Sequence, residues 1–91
     1  MHTAHRLVRF LDDQQRLCSW PAKHKDTLLV LAYLASRFDP TRHYSEQEVN
    51  ALLNAWHTFG DHALLRRALF DYVFLDRSRD DSCYWRVPDR A

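Results

Sequence analysis

Glycine is almost missing from this chain: there is one, Gly60, in 91 residues. That excludes a glycine-rich phosphate-binding loop and leaves little room for flexible glycine connections. Proline is scarce too, at three residues, which excludes collagen-like and proline-rich linker classes. The two cysteines, Cys18 and Cys83, form no Cys-x-x-Cys motif and are too few for a disulfide scaffold. The expectation is two reduced thiols in a cytoplasmic chain without a secretory leader. An excess of one charge is also missing, since 13 Lys and Arg stand against 12 Asp and Glu, a net +1. Dedicated non-specific nucleic-acid binders carry a clear basic excess, so any basic surface here has to arise by segregation of charge. The longest apolar run, Leu28 to Ala35, falls far short of the ~20 residues of a membrane span. No membrane partner is expected.

What is present is core material. Hydrophobic residues make up 46% and aromatics 13%, which excludes a disordered chain. The length suits one domain. We read residues 1–15 as an N-terminal arm or short helix, 16–88 as the domain, and 89–91 as a tail.

Along the domain, Arg16 to Trp20 reads as a short strand stopped by Pro21. Lys23 to Phe38 reads as a helix, bounded by Pro21 and by Asp39-Pro40. Its apolar residues surround most of the axis, so it belongs in the middle of the core. Ser45 and Glu48 have the spacing of a capping box. Val49, Leu52, Leu53 and Trp56 then share one helical face. Gly60 tolerates positive φ after the end of that helix. Asp61 can cap a third helix running to about Tyr72, with Leu64, Leu65, Ala68, Leu69 and Tyr72 facing the core. Leu75 to Arg77 and Cys83 to Val87 read as strands around a polar turn at 78–82. The fold expected is α+β: a winged helix-turn-helix of three helices and a C-terminal β-hairpin, with 16–20 as a third short strand.

In such a fold the third helix reads a groove and the hairpin is the wing. The face opposite the core carries Ala63, Arg66, Arg67 and Phe70. Arg66 and Arg67 can grip phosphates or a guanine edge, or stay as solvated helix formers. Phe70 suits either a partner contact or packing under a neighbour. Thr58 and His62 stand where the helix would first approach a groove, and Asp61 would repel phosphate there unless spent on capping. The wing offers Arg77, Arg79 and Arg86, offset by Asp76, Asp80 and Asp81. Lys23 and Lys25, with Arg16 and His24, form a second basic cluster at the start of the first long helix.

Six histidines (His2, His5, His24, His43, His57 and His62) raise metal binding, but no zinc spacing is present. Cys18 and Cys83 would come together only if the strands carrying them paired. No nucleophile–base pattern or spaced carboxylate pair points to catalysis. Neither a cofactor nor an enzymatic activity is expected.

The stretches Trp20-Pro21-Ala22-Lys23-His24-Lys25, Tyr44-Ser45-Glu46-Gln47-Glu48-Val49-Asn50 and Leu65-Arg66-Arg67-Ala68-Leu69-Phe70-Asp71-Tyr72 resemble the bacterial domain of unknown function 2087 family. Leu75-Asp76-Arg77 and Tyr84-Trp85-Arg86 continue the likeness, so it covers Arg16 to Arg86. His57 and Asp61 also match positions of the family pattern. The chain departs from it at Val73, where the family often has glycine. The resemblance implies a winged-helix-like, regulator-associated domain with no established reaction, occurring alone or joined to DNA-binding domains. Two functions remain open: a transcription-regulator module binding DNA through the third helix and wing, and a protein-interaction or homodimerisation module on the same scaffold.

Overall fold

The apolar run at Leu28 lies in the middle of helix α1 (His24–Ala35) in a computed structural model that describes residues 6–88. Val30, Leu31 and Leu34 are wholly buried, with Leu28, Leu29 and Tyr33 partly covered on the other sides. This is the central position that its all-round apolar pattern requires. The helix ends three residues before Phe38, because the amides of Arg37 and Phe38 turn back to the carbonyls of Leu34 and Ala35. That tightened turn drives Phe38 into the core, where its ring meets Tyr44 edge-on.

Strand β1 (His43–Tyr44) leads into α2 (Glu46–Trp56). The capping box forms as expected: the Glu48 amide donates to Ser45 Oγ at 3.1 Å, and the Ser45 amide donates to Glu48 Oε1 at 2.8 Å. The Ser45 amide, more than the nearby Arg42, holds the Glu48 carboxyl below its usual range. Helix α3 (His62–Asp71) starts on Asp61, whose carboxylate accepts from the Leu64 amide at 3.1 Å. Asp61 is therefore spent on capping. Gly60 takes φ +70 immediately before it. It does not close α2, which ends instead through extended His57.

Strands β2 (Leu75–Arg77) and β3 (Tyr84–Arg86) form the hairpin, and β1 pairs antiparallel with β3 to give the sheet order β1-β3-β2. The chain is thus α+β with winged-helix topology, but the third strand is His43–Tyr44 and not the 16–20 segment. Two residues are too few to show alternation in a sequence. In the 16–20 segment only Leu17 makes bridges, to Leu11 and His57. Its amide donates to the Trp56 carbonyl at 2.8 Å and its carbonyl accepts from the Thr58 amide at 3.0 Å. Leu17, wholly buried, therefore seals the turn between α2 and α3. Residues 6–15 pack on the same chain, with Leu7, Phe10 and Leu11 against the core. The expected tail at 89–91, and residues 1–5 with His2 and His5, lie outside the described residues.

Leu65, Ala68 and Leu69 of α3 face the core as expected, whereas Leu64 is 38% exposed. The helix closes in a Schellman motif, in which the Phe74 amide reaches the Leu69 carbonyl and the Val73 amide the Phe70 carbonyl. The left-handed residue of that motif is Val73, at φ +65 and 54% exposed. A β-branched residue there is strained by ~1–2 kcal/mol, part of which glycine would return as extra chain entropy in the unfolded state. Val73→Gly is expected to stabilise the domain by ~0.5–1 kcal/mol in urea unfolding. A loss of stability would show that Val73 makes a compensating contact.

Candidate functional site

The exposed face of α3 and the inner side of the hairpin flank one groove of about 480 Å³. Ala63, Arg66, Arg67 and Phe70, the residues read as the face opposite the core, all line it, and Arg77 joins them from β2. Tyr84 of β3 also lines it, with its side chain buried in the core. Glu46, Asp71 and Asp81 complete the wall. Three guanidinium groups thus meet three carboxylates.

All three arginines already have partners. Arg66 donates through Nη1 to Asn50 Oδ1 of α2, which ties α3 to its neighbour. Arg67 Nε lies 3.6 Å from Asp71 Oδ2, one helical turn on. Arg77 Nε lies 3.1 Å from Asp81 Oδ1, and its guanidinium sits 4.0 Å from the Phe70 ring centroid. Phe70 is half-buried under that cation, so it is neither a free apolar contact nor a core residue.

The turn of the hairpin is built on Asp80. Its carboxylate accepts from the hydroxyl of Ser82, the hydroxyl of Ser78 and the Ser82 amide. In that order these bonds hold its pKa down to about 2. A carboxylate lowered in this way supports the turn above the ordinary aspartate range and loses that support only as pH falls towards the lowered value.

The remaining candidates are dispersed. Arg79 is exposed in the wing turn and has no ion pair among the described residues. Arg86 points away from the groove, donating to the Phe38 carbonyl at 3.2 Å and pinning β3 to the end of α1. Thr58 is exposed in the α2–α3 turn, and His62 is the partly buried first residue of α3. Lys23 and Lys25 are exposed at the start of α1 and do not line the groove. Arg16 of the same cluster is paired with Asp12 at 2.9 Å.

The segments whose pairing would bring Cys18 and Cys83 together do not pair. Cys18 Sγ faces the Phe10 carbonyl, whereas Cys83 Sγ lies 3.2 Å from His43 Nδ1, on a ring stacked over Trp85. His57 is buried with both ring nitrogens engaged inside the fold. Among the described residues no group of three or more His, Cys, Asp or Glu is placed to hold a metal ion, and no helix is long and apolar enough to cross a membrane.

The sequence alone does not single out Glu46, Asp71 or Tyr84, and it presents Asp81 only as an acid offsetting the wing arginines. Asp71 carries a signal that finds it, the i,i+4 spacing from Arg67. Asp81 has the same spacing from Arg77, but in a hairpin, where spacing alone says nothing.

A helix-turn-helix followed by a β-hairpin, with a short strand before it completing the sheet, is compatible with a small winged-helix-like fold. Residues 16–86 match the family model described as "Uncharacterized protein conserved in bacteria (DUF2087)", and the chain belongs to that family. No curated protein and no solved structure matches it.

Proposed function

We propose that this domain is a cytoplasmic, transcription-regulator-type module that binds duplex DNA through α3 and the wing, and that it is not an enzyme. The observation that carries the proposal is the groove itself. The reading helix and the wing flank one concave face, with Arg66, Arg67 and Arg77 on its walls and Arg79 at the wing turn. In winged helices these two elements are the ones that dock on DNA. Fold analogy alone is weak support. The stronger support is that the arginines of two separate elements converge on one face.

The charge balance bounds the affinity. Between Asp61 and Arg86 there are five arginines (66, 67, 77, 79 and 86) and five aspartates (61, 71, 76, 80 and 81). Arg66 and Arg86 are held inside the fold, which leaves Arg67, Arg77 and Arg79 for phosphates. Three phosphate contacts set the upper limit: a log–log salt slope of about −2.7 and a fall of roughly 40-fold in affinity between ~50 and ~200 mM salt, both smaller to the extent that groove carboxylates offset the arginines. Fluorescence anisotropy with a generic labelled duplex at those two concentrations measures this. Arg67→Ala is expected to weaken binding and reduce the slope by about one unit. It is the cleaner variant, because Arg66→Ala also breaks the Asn50 contact between α2 and α3.

A second reading has its own observation. The groove is neutral as a whole, and it presents arginine, a residue type enriched among interface hot spots, beside the half-buried Phe70 ring. Absence of any DNA binding at the lower salt, together with a concentration-dependent dimer in sedimentation, would replace the first reading with this one.

A further inference from the structure

We infer that Asp71 and Asp81 gate the reading face, each holding one of its arginines in an internal ion pair, so that DNA must exchange a carboxylate for a phosphate oxygen. The inference rests on the DNA reading above and adds a specificity device to it. Arg67 and Arg77 are the two groove arginines without a side-chain hydrogen bond to a neighbouring element, although Arg77 stacks on Phe70, and each has a single carboxylate partner among the described residues, at 3.6 and 3.1 Å. Both pairs are solvent-exposed, with side-chain exposures of 84% and 57% for Arg67 and Asp71, and 39% and 49% for Arg77 and Asp81. Exposed pairs are individually weak, so a phosphate can displace the carboxylate. The carboxylate nevertheless stays in the groove as a like charge beside the incoming phosphate. The unengaged protein thus presents a neutral face, and backbone charge alone is a poor reason to bind it. Stable docking has to draw on base or shape contacts as well, which favours specific over non-specific sites.

The two acids suit a test because neither supports the fold. Asp71 is the last residue of α3, where a negative charge opposes the helix dipole. Asp81 has φ +62, a region that asparagine also tolerates, and its backbone amide bond to the Ser78 carbonyl needs no side chain. Asp71→Asn and Asp81→Asn are therefore expected to fold as the parent does. On the generic duplex at ~50 mM salt, each should tighten binding about tenfold and steepen the salt slope by about one unit. Asp13→Asn makes the same charge change on an exposed residue outside the groove and should alter neither quantity. A silent parent with a binding double variant also supports the gate. A parent that binds with variants of unchanged affinity and slope overturns the gate and leaves the DNA reading standing, and so does an equal gain from Asp13→Asn. If neither parent nor double variant binds at ~20 mM salt, where phosphate contacts are strongest, both ideas fall.

Discussion

Replacing His57 with phenylalanine is expected to destabilise the domain by ~2–4 kcal/mol, by loss of one buried and one part-buried hydrogen bond whose partners stay behind. The imidazole is 4% exposed. Its Nδ1–H donates to the Leu53 carbonyl at 2.6 Å, and its Nε2 accepts from the Asp61 amide at 2.9 Å. One ring thus joins the last turn of α2 to the residue that caps α3. The two contacts also fix the neutral tautomer, with the proton on Nδ1. Phenylalanine keeps the ring and its edge contact with Phe59 at 4.8 Å but can neither donate nor accept. The Leu53 carbonyl would then be buried without a partner, and the part-buried Asp61 amide would lose its own. For a domain of this size the cost corresponds to a fall in Tm of roughly 10–30 °C. His57→Gln, which keeps a donor and an acceptor, should recover part of the loss. Equal stability of His57→Phe and the parent would show that water or a backbone shift satisfies both groups, and that the angle between α2 and α3 is set by packing alone.

His57 also marks where sequence reading stopped. The capping box at Ser45 and Glu48, the cap at Asp61, the positive φ of Gly60 and the terminal hairpin are all local. Each involves residues within a few positions of one another, and each was legible. The α3 face was legible for the same reason, because helical periodicity puts Arg66, Arg67 and Phe70 together. The features that escaped are those whose partners are distant in sequence. Strand β1 exists only because β3 lies beside it. Leu17 reads as a strand residue, yet it bonds to the turn forty residues later. Arg66 reads as a free cation until Asn50 is placed beside it. Val73 is the opposite case. The sequence puts valine, not glycine, at a left-handed position, yet the helix still closes in a Schellman motif, because the Phe74 and Val73 amides find their carbonyls despite the strain. Local chemistry therefore sets the elements, and the charge state of the site is settled by contacts between them.

The docking of the N-terminal segment depends on one such contact, and removing it should have the second large effect. Arg6 forms an ion pair and hydrogen bond with Asp26, which lies in the first turn of α1 and is 4% exposed. A carboxylate that deep is tolerated because a guanidinium faces it and because the helix N-terminus carries partial positive charge. Arg6→Met keeps much of the side-chain volume and removes the cation, leaving Asp26 buried with the helix end alone. A fully buried broken pair costs ~3–5 kcal/mol. The Arg6 side chain is 34% exposed, so water reaches the gap, and we expect ~2–3 kcal/mol in urea unfolding, discounted for that access. The destabilisation should be largest for residues 6–18, where amide exchange would accelerate as Leu7, Phe10 and Leu11 lose their anchor on the core. Substituting both partners, Arg6→Met with Asp26→Leu, replaces the pair by apolar groups and should return stability to within ~1 kcal/mol of the parent. If the double variant is as unstable as Arg6→Met, the damage comes from lost packing of the arginine stem. If Arg6→Met itself is harmless, the N-terminal segment is held by its apolar residues and the ion pair contributes nothing measurable.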